Sequence, residues 1–291
     1  MTPPEPSALQ EPAAPRRVLA KARDENFPVA LRLLPAAQRG HLLALYAFAR
    51  MVDDLGDEAG GDRLRLLDAV SHDLGRIYAG SPPPEPLYQR LATTISACGL
   101  PREPFERLVE ANRRDQTVRR YATFGDLLGY CAFSADPVGR LVLGVFGVAT
   151  GDRLPLSDRV CSALQVLEHC QDVAEDARAG RIYLPAEDLD RFGVAEGDLL
   201  AGRASREVRA LVGYTVQRAV TLLDEGEPLV GTLSGAARLA VAGYVAGGRA
   251  TAVALAGAGF DVLATTPRPS KGRTLAEWVR LLVRPAPGGA R

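Results

Sequence analysis

Asp53, Asp54 and Asp57 fall within five residues, and Asp172, Glu175 and Asp176 form a second such cluster more than a hundred residues later. On a helix, residues three or four apart share a face, so each cluster sets carboxylates one turn above another. Carboxylates side by side raise one another's pKa and resist burial unless a cation lies between them. The donors are all oxygen, with no His or Cys partner, which suits a hard ion. Mg²⁺ in particular binds through few carboxylates and completes its shell with water and phosphate oxygens. The pattern points to diphosphate chemistry. A single DxxD reads as a solvated acidic patch; two of them, both embedded in apolar sequence, shift the balance to a metal site.

The segment from His41 to Asp53 is apolar nearly all round, which marks a buried helix that ends in acids. A second long helix is expected from Ser157 to Arg178, with Val160, Leu164, Leu167 and Val173 facing inward. It would carry Asp172, Glu175 and Asp176 near its C-terminal end, where acids oppose the helix dipole. Helical bundles build metal sites from facing helices, so two acid-bearing helices opposed across a cavity are the natural arrangement.

Arg50 stands one turn before Asp54, and Tyr46 one turn before Arg50. Arg50 either grips diphosphate oxygens in its planar fork or makes an ordinary i,i+4 pair with Asp54, while Tyr46 would line the pocket entrance. After the second cluster, Arg181 and Tyr183 follow Gly180; they either fold back over a bound phosphate or belong to a plain helix stop. The mixed-charge stretch Asn112 to Gln116, with Arg119, Arg120 and Tyr121, reads as a solvated helix face. His41, His72 and His169 have no partner at ligand spacing, so no zinc site is expected. Gly243 to Gly259 lacks the preceding strand of a dinucleotide fingerprint and reads as close helix packing.

Of 291 residues, 47% are hydrophobic, ample for a core, and 35 basic residues balance 35 acidic ones. No global field recruits nucleic acid. Cys98, Cys131, Cys161 and Cys170 form no CxxC pair and no secretory signal precedes them, so a reduced, cytoplasmic protein is expected. Ala236 to Ala264, interrupted by Arg238, Arg249 and Asp261, reads as a packed core helix pair, not a membrane span. Peripheral contact with the inner face of a membrane stays open. Residues 1–15 and 285–291 read as disordered tails around one domain over 16–284. Helical periodicity runs almost throughout that domain and alternating β-branched runs are missing. The expected fold is all-α, with nine or ten helices bundled around a central cavity.

Together these residues resemble the squalene/phytoene synthase family, over most of the chain from about Glu25 to Arg273. Tyr46-Ala-Phe-Ala-Arg50-Met-Val-Asp53-Asp-Leu-Gly-Asp57 is similar to the family's first aspartate-rich motif, and Gln165-Val-Leu-Glu168-His-Cys-Gln-Asp172-Val-Ala-Glu-Asp176 to its second. The resemblance implies Mg²⁺ on Asp53, Asp57, Asp172 and Asp176, with Asp54, Glu168 and Glu175 supporting, and an isoprenoid diphosphate as substrate. It further implies Arg50 and Arg181 on the diphosphate, Gln165 at the metal edge, and Tyr130, Tyr183 and Tyr244 along the cavity. Arg268, Lys271 and Arg273 match late basic positions, and Asn26 belongs to the substrate contacts. Glu168 departs from the family's frequent Asn, and Glu25-Asn26-Phe27-Pro28-Val29 from its Ser-rich opening.

This opening, Ala135-Asp-Pro137-Val-Gly-Arg-Leu141 and the second motif resemble the bacterial hopanoid branch, which turns presqualene diphosphate into hydroxysqualene. Head-to-head condensation of two farnesyl or geranylgeranyl diphosphates is the alternative within the family. A non-catalytic assembly or binding role is the alternative of another class. Reduction to squalene would belong to a partner enzyme of the pathway, and the sequence leaves the oligomeric state open.

Overall fold

The structure, a computed structural model, describes residues 33–283. The expected tails and Asn26 lie outside them. Among the described residues the fold is all-α, as expected, with thirteen α-helices and one short 3₁₀ turn. The only bridge among the described residues pairs Arg120 with Ile182. In chain order the helices are α1 (Ala36–Asp57), α2 (Arg63–Tyr78), α3 (Pro86–Cys98), α4 (Glu103–Arg114), α5 (Phe124–Ser134), α6 (Asp136–Val145) and α7 (Arg153–Gln171). They continue as α8 (Val173–Arg178), α9 (Ala186–Phe192), α10 (Arg206–Gly226), α11 (Pro228–Thr232), α12 (Gly235–Gly257) and α13 (Lys271–Val283). The count exceeds nine or ten because α8, α9 and α11 are too short to show periodicity.

Local chemistry sets the ends. Asp62 accepts from the Arg65 N–H ahead of α2, Ser205 accepts from Val208 ahead of α10, and Thr123 and Asp126 close a capping box on α5. Helix α4 has Glu103 and Glu106 in its first turn and Arg113 and Arg114 in its last, matching its dipole. At the centre, α7 packs against α5, α6, α10, α11 and α12, with Val160, Leu164, Leu167 and the following Val173 buried as expected.

Glycines permit the closest approaches. A Cβ on Gly226 would meet the Leu156 carbonyl oxygen at 2.8 Å, and one on Gly248 would meet Leu164 Cδ2 at 2.6 Å. The apolar stretch after Ala236 is therefore tightly packed, as expected. It forms one helix, α12, followed by turns rather than a helix pair. Its length and composition would suit a membrane span, but most of it is buried in the bundle.

The expected single helix from Ser157 to Arg178 is broken at Asp172 (φ −102°, ψ 14°), which closes α7 and opens α8. Glu175 and Asp176 consequently occupy a first helical turn, where the dipole favours them, instead of the C-terminal end where it would not.

At the α5–α6 junction, buried Asp136 accepts a 2.8 Å hydrogen bond from Ser162. Burial raises its pKa from 3.8 to about 7, against the opposing hydrogen bond. A carboxyl whose folded value is raised binds its proton more tightly in the native state, so its stabilisation is complete below pH 3.8 and lost as pH rises through about 7. Asp136→Asn should therefore flatten the fall in melting temperature between pH 4 and 7, as read by thermal denaturation across that range. An unchanged slope would contradict this assignment.

Candidate active site

A cleft of about 260 Å³ opens among α1, α4, α5, α7 and α8. Its wall includes Asp53, Asp57, Asp172 and Asp176 from the two acidic motifs, together with Arg50, Tyr130, Gln165, Glu168, Arg181 and Tyr183. The structure thus brings together ten of the residues singled out by sequence.

Asp53 lies on the inner face of α1 and accepts a 3.1 Å hydrogen bond from Asn112 Nδ2 on α4. Gly56 permits this approach, since a Cβ there would lie 2.2 Å from Asn112 Oδ1. Gln116 Nε2 also donates to the Gly56 carbonyl, at 3.0 Å. Burial pushes Asp53 up to about 6, outweighing Asn112 and Arg50. Asp172 also rises to about 6, by burial and then by repulsion from Asp176 and Glu175, with Arg268 opposing.

The turn after α8 carries Arg181 and Tyr183. Gly180 takes φ +78°, a left-handed conformation in which a side chain would be strained, and the Arg181 N–H returns to the Asp176 carbonyl at 2.8 Å. Ile182 donates to the Arg119 carbonyl and Ala186 to that of Tyr121, pinning the segment. Arg181 then reaches Asp57 at 2.6 Å, so a residue following the second motif holds the last acid of the first.

Three residues that sequence reasoning set aside, Asn112, Asp115 and His169, also line the cleft, together with Ser134. Asn112 is only 7% exposed, which corrects the reading of its segment as a solvated face. Its placement after Leu108 and Val109 at helical spacing was the available signal. Asp115 Oδ2 accepts from the Tyr130 hydroxyl at 2.8 Å, while Oδ1 is buried without a hydrogen-bond partner. Burial raises Asp115 to about 6. His169 stacks on Tyr183 with centroids 3.6 Å apart and has Nδ1 3.8 Å from Asp176. Tyr121, Tyr130, Tyr183 and His169 form one aromatic wall.

Other expected residues sit elsewhere. Asp54 turns to Arg50 at 3.3 Å, and Glu175 is exposed, so neither lines the cleft. Tyr46 is half-buried on α1 away from the cleft lining. Tyr244, expected along the cavity, instead packs between two apolar clusters around α12. Lys271 and Arg273 are exposed on the first turn of α13, whereas the charge of Arg268 reaches Asp172.

Six carboxylates (Asp53, Asp57, Asp115, Glu168, Asp172 and Asp176) face two guanidiniums, Arg50 and Arg181, around the cleft. Among the described residues no three His, Cys, Asp or Glu side chains converge into a ready-made metal cage. An excess of oxygen donors, one of them a buried orphan on Asp115, suits an ion that takes few protein ligands and fills its shell with water and phosphate. The donor set therefore fits Mg²⁺.

The model of the squalene/phytoene synthase family matches residues 20–274. A hydroxysqualene synthase of Zymomonas mobilis is 36% identical over 207 residues, 69% of this chain and 68% of the relative. A presqualene diphosphate synthase of Rhodopseudomonas palustris is 34% identical over 217 residues, 73% of this chain and 76% of its own. The crystal structure of squalene synthase HpnC from Alicyclobacillus acidocaldarius superposes with a TM-score of 0.78 at 44% identity, covering 84% of this chain and 93% of that one. With a match across nearly the whole described bundle and both acidic motifs inside it, this chain belongs to the squalene/phytoene synthase family.

Proposed function

We propose that this family member is an Mg²⁺-dependent enzyme that converts presqualene diphosphate to hydroxysqualene. The observation that carries the reading is the convergence of both acidic motifs, Arg50 and Arg181 on one cleft. The finer choice is supported by the hydroxysqualene synthase at 36% identity; the solved relative at 44% is a squalene synthase. Head-to-head condensation to presqualene diphosphate is the second reading, favoured by the relative of that name at 34%. A non-catalytic role has less support, because every motif acid stands in place. The four cysteines are free, which suits the cytoplasm.

Asp53, Asp57, Asp172 and Asp176 would hold Mg²⁺, with Glu168 beside them. Bound there, the metal supplies positive charge that neutralises the diphosphate as it leaves. Arg50 and Arg181 orient the same oxygens through their planar forks. The carbon–oxygen bond breaks with its electron pair on the diphosphate, leaving a carbocation. Tyr130 and Tyr183, which line the cleft, would steady it by the attraction of a cation to an aromatic ring. A single admitted water then adds its oxygen to the rearranged cation and releases a proton. Until that moment the site must exclude water, since early capture gives another alcohol.

Purified protein with Mg²⁺ should consume presqualene diphosphate without a nicotinamide cofactor and release an alcohol seen by mass spectrometry. Turnover of farnesyl diphosphate alone would transfer the assignment to the condensation reading. Asp53→Ala and Asp172→Ala should each abolish turnover while helical circular dichroism persists; loss of helicity in step with activity would point to a purely structural role for these acids. Asn112→Ala leaves Asp53 without its donor, and should raise the Mg²⁺ concentration needed for half-maximal turnover by about tenfold. A wild-type Mg²⁺ dependence would show that Asn112 does not serve the metal site.

A further inference from the structure

The imidazole of His169 lines the cleft, is buried at 8% exposure, and has no part in the reaction steps given above. Three pieces of chain nevertheless converge on it. Gln165 comes from the preceding turn of α7, Asp176 from α8, and Tyr183 from the segment that Gly180 folds back.

These partners fix both the protonation and the plane of the ring. Gln165 Nε2, an amide nitrogen that only donates, lies 3.2 Å from His169 Nε2. In the neutral ring that nitrogen therefore accepts, and Nδ1 carries the proton. Nδ1 faces Asp176 Oδ2 at 3.8 Å, longer than a hydrogen bond but close enough for the N–H dipole to favour one direction of the carboxylate. Tyr183 holds the plane, stacked with centroids 3.6 Å apart and only 10° from parallel.

The contact exists because the helix is broken. On an unbroken helix His169 and Asp176 would stand two turns, about 10 Å, apart. The break at Asp172 brings their side chains together, so the ring spans the junction of α7 and α8. Across such a junction a continuous backbone no longer sets the direction of the Asp176 side chain, and a polar group on α7 can. An aliphatic residue at 169 would fill the space and phenylalanine would keep the stack, but neither offers Asp176 an N–H.

We propose that His169 is a positioning residue: steadied by Gln165 and by the face of Tyr183, it presents Nδ1–H to Asp176 and holds that carboxylate in the direction in which it takes up a divalent cation. The proposal rests on the reading of Asp176 as a metal ligand given above. Partners that orient a metal ligand in this way typically contribute tenfold or more to metal affinity.

Mn²⁺ binding to the full-length chain, read from the loss of its free-ion electron paramagnetic resonance signal, tests it without recourse to activity. His169→Phe, which keeps the ring against Tyr183 and removes the N–H, should weaken Mn²⁺ binding about tenfold. His169→Asn, which gives up the stack and restores an N–H near the position of Nδ1, should recover most of that loss. A role in packing alone reverses the order, with His169→Phe close to wild type and His169→Asn the weaker binder, and that order overturns the proposal. If His169→Asn fails to fold, Asp176→Asn with and without His169→Phe decides. Once Asp176 is replaced, His169→Phe should cost no further affinity, because it acts only through that carboxylate, and an additive loss refutes the proposal. A wild-type chain that leaves Mn²⁺ free would overturn the metal reading itself, and this inference with it.

Discussion

Six carboxylates around one cleft with only two guanidiniums among them is an unstable distribution of charge, and the surrounding structure exists to hold it. Burial raises Asp53, Asp115 and Asp172 to about 6 each, so these groups sit near the point where a proton or a metal must compensate them. An anionic substrate cannot enter such a site alone. In the proposed reading it would arrive with cations, and Mg²⁺ suits such a site because it binds through few protein ligands and fills its shell with phosphate and water. In the proposed reading, the same excess of acid would serve a departing diphosphate through the cations it holds.

Holding these acids in place takes several separate devices. Gly56 lets α4 approach α1 closely enough for Asn112 to bond Asp53. The break at Asp172 turns the second motif so that its later acids lie in a first helical turn. The left-handed Gly180 folds the chain back so that Arg181 meets Asp57 across the cleft. None of these contacts belongs to the apolar core: the first joins α1 to α4, and the other two lie in the chain that follows α7.

Much of this was legible in the residues. Carboxylates at helical spacing after a buried run identified Asp53 and Asp57, and the matching cluster identified Asp172 and Asp176. The all-α class followed from continuous helical periodicity. What escaped was set by tertiary contact. Asn112 and Asp115 sit in a mixed-charge stretch whose polar composition concealed one buried face, because Arg113 and Arg114 on the same turn do face outward, onto Asp68 and over the Phe133 ring. The break at Asp172 was invisible to periodicity, since the apolar pattern runs straight through Val173. Tyr244 carried no local mark to separate a cavity wall from the packed interior of α12, where it lies. His169 lacked a partner at metal-ligand spacing; it pairs with Gln165 one turn earlier and gains its ring contact only when Tyr183 folds back on it.

The most direct measurement is anomalous scattering from crystals grown with Mn²⁺ in place of Mg²⁺ and a thiolo-diphosphate analogue that resists ionisation. Metal peaks between the analogue's phosphate oxygens and both acidic motifs, at Asp53 or Asp57 and at Asp172 or Asp176, are expected. An analogue seated in the cleft with no metal at either motif, or bound elsewhere on the protein, would contradict a shared cation site.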